Sequence, residues 1–514
     1  MGALWRAVCT IARLMGKILR PRPAVAALVC ALLIRAAPAA AQETEPSFLA
    51  RAIESASLFE QSAPAPDPYA NARPCVGCPP RGVGRAFLQT TVVNVFYGLA
   101  NLARGQVTAR VTPKTWWENM ENGWVWDLDD FVVNQIGHPY QGSNYYNAGR
   151  ANGLGFYESA AMAAFGSATW EYYGETNKAS LNDFINTTLG GIAIGEVLHR
   201  VAWLVRDPSK SGSGRLWNEI GATVLDPVTG YNRFRRGDAS RIAEKPADMM
   251  PAALSGFMSG GVLFRGTEHE PFEGSGQAFL ETDLLYGDVL AGRSRTPYDA
   301  FTMTLRFGGG SAVSEARLLG RLLGEPLGDS GKFQFTVAQA YDFQLNDAYS
   351  FGAQSFDAGV AFTHPLSSRF GLSLIGSGGL TVLGAIDSLP VGVEEVPEEE
   401  EEEPTGGQGV SEGPRFYDYG PGSKFTLRAL FLHDRVPFAV AFYEGRQLYS
   451  LDGLRANHFL QHARLDLRVP IYRPIGFGVA AEYFSRHTYY QDEARTERTF
   501  RYPQFRTYLT WNIS

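Results

Sequence analysis

The chain is poor in cysteine, in charged residues and in recognisable catalytic motifs. Of its 514 residues only 4 are Cys and 19% are charged, and the net charge is −7. A slightly acidic balance gives no reason to expect a nucleic-acid partner. Nucleophile-elbow, Walker and zincin patterns do not occur, so the sequence offers none of the common signatures of hydrolases, nucleotide-binding proteins or metalloproteases.

The N-terminus has the pattern of an export signal. Basic residues precede a short apolar core over 24–34, and three alanines over 39–41 supply a cleavage site before Gln42. The apolar run is too short to span a bilayer. We therefore predict that residues 1–41 are a signal peptide that is removed on export.

Removal of this segment leaves two cysteines, Cys75 and Cys78. In an oxidising compartment a Cys-x-x-Cys pair between prolines most often forms a local disulfide, which is the interpretation that we favour. A redox or metal role is the alternative, but no thioredoxin-like strand precedes the pair and no His follows it for haem attachment. Residues 42–84, which contain the pair, are predicted to be a Pro-rich linker.

What the sequence has in abundance is aromatic residues and glycine. The aromatic share is 12%, with 56 Gly, and this combination with modest charge is typical of membrane β-barrels. A chain of this length exceeds one typical core, so we expect two structural units.

Residues 85–250 show the period of helices. We expect these helices to be amphipathic and to pack against one another or against a neighbouring unit. Helices are predicted over 87–104, 144–173 and 180–206, with a turn over 138–143 and a polar connector over 207–250.

The acidic residues that follow Trp126 allow two interpretations. Clustered carboxylates such as Asp127, Asp129 and Asp130 could bind a hard cation. However, Asp-x-Asp-Asp before an apolar run more often caps a helix, and we favour capping. No metal and no other cofactor is therefore predicted.

A second set of ionisable residues lies on the third predicted helix. Glu196 and His199 project from one face at i and i+3, and with residues from neighbouring segments they could form a di-metal or hydrolytic site. Such a site normally needs a second Glu-x-x-His motif, which the sequence lacks. In the commoner case Glu196 pairs with Arg200 one turn away. The weak catalytic candidates are His138, Glu171, Glu196 and His199.

Five motifs in the helical half resemble one family: W-D-x-D-D-F, H-P-Y-Q-G-S-N-Y-Y-N-A-G-R, W-E-Y-Y-G-E, S-L-N-D and G-G-x-x-x-G-E. They cover about residues 116–205 and resemble the bacterial family of unknown function numbered 3943. The resemblance implies an exported protein of a Gram-negative envelope. It implies no catalytic role, because the family has no assigned activity. The matching positions are Trp126, Asp127, His138, Tyr145, Arg150, Trp170, Glu171, Asp183 and Glu196.

Beyond about residue 250 the period changes from helical to two. Over 424–432, for example, Phe425, Leu427 and Phe431 alternate with polar residues. Runs of this length fit tilted strands that cross an outer membrane, and a soluble β-sandwich is the rival interpretation. The links alternate between long and short, as extracellular loops and periplasmic turns do, which favours a barrel.

Eleven strands are recognisable, and a bacterial barrel with both ends on the periplasmic side needs an even number. Residues 257–266 supply a twelfth strand, and ten is the fallback if weak runs such as 314–323 are loops. The longest link, 387–423, contains the acidic run 398–403 and is predicted to be a disordered, solvated loop, with cation capture as the alternative. The residues predicted to form a polar lumen crossed by ion pairs are Arg306, Arg317, Arg321, Arg428, Arg464, Arg468, Asp466 and Glu482.

The sequence thus predicts an α+β protein, with an N-terminal helical domain over 85–250 and a C-terminal antiparallel transmembrane β-barrel of about twelve strands over 251–514. We expect it in the outer membrane, with the helices on the periplasmic side or plugging the lumen. Outer-membrane lipid and a periplasmic protein are the expected partners.

A structural or transport-type role is the main functional hypothesis. The first alternative is an enzyme that modifies envelope lipid or glycan with the four catalytic candidates. The second is a binding or assembly module with an exposed aromatic patch formed by Trp116, Trp117 and Trp124.

Overall fold

The computed structural model describes part of the chain. The described residues are 79–513 apart from 128, 247–248, 267–275, 289, 291, 329, 388–416, 435, 454–455, 473 and 492–496. The predicted signal peptide, Cys75, Cys78 and the acidic run 398–403 lie outside them, so the disulfide and the solvated loop stay predictions.

The first half of the described chain is helical. Its helices are α1 (Val83–Ala103), α2 (Pro113–Glu121), α3 (His138–Arg150), α4 (Phe156–Tyr173), α5 (Leu181–Ile185), α6 (Gly191–Val205), α7 (Gly212–Leu225) and α8 (Pro227–Arg236). Two π-helical turns, Val133–Gly137 and Asn186–Gly190, lead directly into α3 and α6.

The structure corrects three predictions for this half. The segment 138–143 is not a turn, because it continues the π-helical turn Val133–Gly137 without a break and forms the start of α3. The predicted helix over 144–173 is interrupted after Arg150 by Gly153, whose φ of 75° is left-handed. The connector over 207–250 contains α7 and α8, whose buried side is polar and so hides the usual helical pattern.

The second half is a closed antiparallel barrel of twelve strands, as predicted. The strands are β1 (Leu254–Arg265), β2 (Gly276–Tyr286), β3 (Phe301–Gly308), β4 (Ser311–Leu327), β5 (Phe333–Leu345), β6 (Ser350–Pro365), β7 (Phe370–Asp387), β8 (Tyr417–His433), β9 (Val436–Tyr449), β10 (Ala456–Tyr472), β11 (Ile475–Tyr490) and β12 (Arg498–Asn512). The twelfth strand required by the sequence argument is β1, and the weak run over 314–323 lies within β4.

The barrel has two distinct rims. The terminal rim holds the start of β1 and the end of β12, together with short connections such as those from β8 to β9 and from β10 to β11. The loop rim holds the connection from β7 to β8, which is the longest, and the turn from β5 to β6. We expect the terminal rim to face the periplasm, because both ends of bacterial barrels normally do.

Alternation along each strand separates a charged lumen from an apolar exterior. On β10 the buried Asp466 lies between Leu465 and Leu467, and Leu465 is 43% exposed. The exterior belt includes Val262, Leu374, Leu427, Leu465, Val469, Phe477, Val479, Leu509 and Trp511, all of them exposed. Apolar outside and polar inside is the reverse of a soluble sandwich core, so the rival interpretation is excluded.

The helices pack on the outer wall of this barrel. On β5, Asp342 points into the lumen towards Arg446, whereas the neighbouring Tyr341 points outward and donates a hydrogen bond to the Gln135 carbonyl at 2.6 Å. The apolar contact joins Ala193 and Val197 of α6 to outward-facing residues of β2 to β5: Leu284, Tyr286, Phe301, Met303, Leu318, Tyr341 and Phe343.

A second contact lies at the loop rim, where Trp126 stacks on Tyr419 of β8 with ring centroids 5.6 Å apart. Asn182 also donates to the Tyr419 hydroxyl at 3.2 Å. These contacts place the described helices beside β2–β8, outside the lumen. The predicted plug is therefore not confirmed.

Candidate functional site

The described lumen is crossed by a network of buried ion pairs. Arg306 of β3 pairs with Glu281 of the adjacent β2 at 2.7 Å and reaches across to Glu482 of β11 at 3.2 Å. Arg506 of β12 joins the same two carboxylates, with 2.6 Å to Glu281. Because each charge meets several partners, the desolvation cost of burying it is offset within the network.

A second part of the network joins the opposite walls. Arg317 of β4 binds Asp342 of β5 at 2.9 Å and Glu444 of β9 at 2.8 Å. Its Nη1 atom also lies 3.5 Å from His462 Nδ1 on β10. These contacts tie strands together that are far apart around the barrel, so they narrow the lumen at this level.

Apolar side chains fill the lumen between this network and the loop rim. Tyr349, from the turn between β5 and β6, packs against Phe484 of β11 with ring centroids 5.9 Å apart. The members of this cluster are Ala348, Tyr349, Phe351, Ala353, Ile386, Leu448, Leu460 and Phe484. Together with the ion pairs they close the loop-rim side of the described lumen.

The terminal-rim side of the lumen contains a cavity of about 240 Å³. Its lining begins near the terminal rim with Phe257, Leu285 and Pro437 and ends at the ion-pair network. Most lining cations have a carboxylate partner: Lys424 pairs with Asp357 at 2.7 Å, for example, and Arg321 with Asp299 at 2.9 Å.

Arg428 is different from these paired cations. Its guanidinium lines the cavity 5.4 Å from the centre of the Phe442 ring, and it makes no ion pair with any of the described residues. A half-buried guanidinium without a carboxylate is a site for an anion, because it offers several donors and a fixed positive charge.

The four catalytic candidates of the helical half lie in two separate clusters. His138 and Glu171 belong to an acidic cluster beside Asp127 and Asp183, whereas Glu196 and His199 belong to an arginine-rich cluster around α6. They do not converge on one cleft. The enzyme hypothesis required such convergence, so we do not propose it.

The acidic cluster contains many carboxylates and few cations. Asp127, Asp129 and His138 each present one ligand atom within 4.8 Å of the others, and His138 Nε2 lies 3.8 Å from Asp183. A hard cation could be held by such atoms. The sequence interpretation of helix capping also applies, because the Asp130 carboxylate accepts a hydrogen bond from the Val132 N–H at 2.8 Å.

The carboxyls of this cluster are buried with few cations nearby, and this raises their pKa values. Desolvation, followed by repulsion from Asp183, raises the pKa of Asp127 to about 8. Desolvation also raises the pKa of Glu175 to about 7 and that of Asp183 to about 7. These carboxyls therefore bind protons more readily than ordinary carboxyls do, and protonation reduces the repulsion within the cluster.

The arginine-rich cluster is a set of ion pairs. Glu196 accepts from Arg200 at 2.7 Å, lies 3.1 Å from Arg150 and accepts from the Tyr146 hydroxyl at 2.7 Å. Attraction to these two arginines offsets the cost of burying the Glu196 carboxylate. His199 pairs with Asp226 at 2.8 Å, in a region that the sequence analysis treated as a connector.

The remaining positions of the family motifs are mostly buried and polar. Tyr145 is fully buried, and Trp170 donates to Glu175 at 2.9 Å. Trp116 is half-buried and donates to the Tyr173 carbonyl at 3.0 Å, whereas Trp117 is exposed. Trp124, the third member of the predicted aromatic patch, is 39% exposed and packs against Tyr172 with ring centroids 5.4 Å apart, so Trp117 and Trp124 are the exposed members.

Sequence reasoning identified the charged lumen but missed the cavity and the contact with the helices. The signal for the contact was present in outward-facing polar residues of β5 and β6. Gln339 donates to the Leu189 carbonyl at 2.8 Å, and Gly352 leaves room for the Gln135 side chain. Such residues are out of place on a wall that faces only lipid.

The closed barrel, its apolar belt and its charged lumen define the class: this is an outer-membrane β-barrel protein with an appended helical domain. Residues 123–228 match the model of the family described as "Domain of unknown function (DUF3943)", which confirms the resemblance given by the motifs. A comparison with curated proteins finds no match.

Several solved structures are similar to the barrel half. The NanC porin is 6% identical, with 49% of this chain and 98% of that chain covered and a TM-score of 0.26. The KdgM porin in complex with disordered oligogalacturonate is 6% identical, covers 50% and 98%, and has a TM-score of 0.23. The toluene transporter TodX of Pseudomonas putida is 6% identical, covers 52% and 90%, and has a TM-score of 0.19. These values are too low to support an argument about function.

Proposed function

We propose that the barrel conducts small anionic solutes across the outer membrane, through a lumen that is closed in this conformation. The observation that supports this function is the cavity on the terminal-rim side, with the Arg428 guanidinium as its unpaired cation among the described residues. An anion that enters the cavity from the terminal rim can reach this charge, because the Arg428 side chain lines the cavity.

The closed state follows from the contacts above the cavity. Opening requires the cross-lumen contacts of Arg317 to separate and the apolar cluster near the loop rim to move. An arriving anion would compete with Asp342 and Glu444 for the guanidinium groups of the network. The proposal is therefore a channel of low basal conductance whose opening is favoured by its own solute.

The test is ion flux through the full-length protein in planar bilayers. We expect small, infrequent currents with a reversal potential that indicates anion preference. Arg428→Ala should reduce the anion preference severalfold and Arg428→Glu should reverse it, because the side chain supplies the unpaired charge of the cavity.

The matched control is Arg369→Ala, which removes the same charge from an exposed position in the turn between β6 and β7. This variant should keep the wild-type selectivity. Absence of current from the wild type, or equal selectivity in all four proteins, would contradict the proposal and favour a purely structural barrel.

A further inference from the structure

Helix α1 has its polar side inside the helical domain and its apolar side outside. Gln89 donates to Asn232 at 3.1 Å, and Asn94 donates to the Gly166 carbonyl at 3.1 Å. The exposed side consists of Phe87, Leu88, Val92, Val95, Phe96, Leu99 and Leu102, with Phe96 68% exposed. A surface helix of a water-soluble domain has the opposite arrangement.

A second helix, α7, shows the same inversion. On α7, Arg215 and Glu219 are buried, whereas Trp217 is 69% and Val224 is 74% exposed. Helix α4 buries apolar and polar residues alike, among them Met162, Trp170 and Ser159, and no charged residue occurs between Glu158 and Glu171. The inversion is therefore not confined to one helix.

The dimensions of α1 match a bilayer. The helix has 21 residues, which corresponds to about 30 Å at 1.5 Å per residue. This is about the thickness of the hydrocarbon core. No Asp, Glu, Lys, Arg or His occurs over 86–103, whereas Arg85 and Arg104 flank this stretch. The part of α1 that would lie in the hydrocarbon core thus has no charged residue, and a charged residue occurs at each end of it.

The position of the domain supplies an independent observation. Its helices cover outward-facing residues of β2–β8. Where the outer wall of the barrel is not covered by helices, it carries the apolar belt. Helix α6 contacts β4 and β5, α3 packs on α6, and α1 and α4 pack on α3. Helix α1 therefore lies in the layer farthest from the barrel. On this side of the molecule the outer surface is formed by α1 and not by the barrel wall.

Composition alone points to a different helix. Among the described residues, the continuous stretch Leu181–Val205 is long and apolar enough to cross a membrane, but 61% of its most apolar window is buried, as in the core of a helical bundle. The exposed surface belongs to α1, α4 and α7, and the mean composition of α1 and α7 is more polar because their inner faces hold hydrogen-bonded or charged residues.

We propose that the helical domain is embedded in the outer membrane beside the barrel, with the outward faces of α1, α4 and α7 in contact with lipid acyl chains. Lipid is the occupant because the exposed apolar face of α1 has no charge over 86–103, and because the domain packs on the outer wall of the barrel, which elsewhere carries the apolar belt. The buried Asn, Gln and Ser residues then satisfy one another inside the domain, as polar groups must within a bilayer.

The experiment uses nitroxide labels on single cysteines of the full chain, in phosphatidylcholine bilayers, with Cys9→Ser, Cys30→Ser, Cys75→Ser and Cys78→Ser as background. The test positions are Leu88→Cys and Phe96→Cys on α1 and Val224→Cys on α7. Leu509→Cys, on the outward face of β12, is the lipid reference, and Lys114→Cys, whose side chain is 83% exposed, is the water reference. Collision rates with oxygen and with a water-soluble nickel chelate are compared.

We expect the three test labels to match Leu509→Cys, with an oxygen-to-nickel ratio severalfold higher than that of Lys114→Cys. A ratio equal to that of Lys114→Cys would overturn the proposal, since the faces would then be in water. Protection from both reagents would also overturn it and would indicate a second copy of this chain on the surface.

A second measurement needs no introduced cysteine. Phosphatidylcholine brominated in its acyl chains should quench tryptophan fluorescence of the unlabelled protein more than that of Trp217→Phe. Equal quenching of the two proteins would place Trp217 outside the acyl-chain region and contradict the proposal.

Discussion

At the scale of single residues, the helical domain separates two kinds of buried charge. Around Glu196, each carboxylate oxygen meets an arginine, and the resulting pairs hold the ionised form. Around Asp127 the carboxylates mainly meet one another, and burial favours the neutral form. Similar acidic residues in one sequence therefore ionise differently, because the arginines lie in only one of the clusters.

The acidic cluster gives the protein a pH-dependent stability. The folded pKa of Asp127 is about 8 and the ordinary value is 3.8, so the folded state binds the proton more tightly. The free energy of unfolding therefore falls as pH rises from about 4 to about 8. Asp127→Asn mimics the neutral carboxyl, so its melting temperature should match the wild type at pH 5 and exceed it by several degrees at pH 9.

Circular dichroism at the helical minimum would measure both melting temperatures in one detergent. The exposed Glu118→Gln, on α2, is the matched control and should leave them unchanged at both pH values. A variant that is less stable than the wild type at pH 9 would mean that the ionised Asp127 is bound by a cation or donors.

At the scale of elements, the helical domain depends on close crossing of α3 and α6. A Cβ atom on Gly142 would collide with the Thr187 carbonyl oxygen, and one on Gly191 would collide with the Gly142 backbone. Gly191 and Gly195 are four residues apart, a spacing that predicts a close helix contact, and Gly195 does approach the Tyr146 ring. Its partner Gly142 was assigned to a turn, because the Pro139 signal was taken as a helix boundary.

Gly142→Ala should separate these helices and destabilise the domain by about 1–3 kcal/mol, the usual cost of overpacking. The loss should appear as a lower melting temperature of the helical signal. Gly137→Ala is the matched control, because the added Cβ would lie 3.7 Å from Val133 at ordinary contact distance. If both variants melt together with the wild type, the tight crossing is not needed for stability.

Much of the barrel was predictable because each strand alternates between two unlike environments. The alternation predicts strands over 332–345 and 350–364, and β5 and β6 begin and end within one residue of these bounds. The position of the helices was not predictable in the same way. Met303, Leu318 and Phe343 are apolar whether they face lipid or α6, so their pattern does not identify the neighbour.

The helices α7 and α8 were missed for a related reason. Arg215, Glu219 and Arg233 form their buried side, with Arg233 and Glu219 joined by an ion pair at 2.5 Å. A search for apolar inner faces therefore interprets the segment as a polar connector. The candidate cavity could not be predicted from the sequence either. Whether Arg428 has an ion-pair partner among the described residues depends on side chains from distant strands.

At the scale of the whole molecule, the lumen is closed by two layers of different chemistry. The first layer consists of ion pairs that join opposite walls of the lumen. The second is the apolar cluster, which fills the lumen between these ion pairs and the loop rim. Breaking one layer alone leaves the other in place. Conductance should therefore increase by steps as the layers are removed.

Arg317→Met should raise the open probability of the full-length protein in planar bilayers at least severalfold, because it removes the contacts from β4 to Glu444 and His462. Some loss of stability should accompany it, since Asp342 and Glu444 lose a partner. Arg293→Met removes an exposed pair with Glu325 and is the matched control, for which we expect wild-type currents. Unchanged currents in Arg317→Met would show that the apolar cluster alone closes the pathway.

The helices dock on β2–β8, whereas the seam where β1 meets β12 lies away from the docking contacts described for them. The chain can therefore seat its N-terminal helices on the growing sheet before the last hairpin arrives. The last pairing, of β1 with β12, can then form at sheet edges that the helices do not cover. We therefore expect that the barrel can close after the helical domain has packed on its wall.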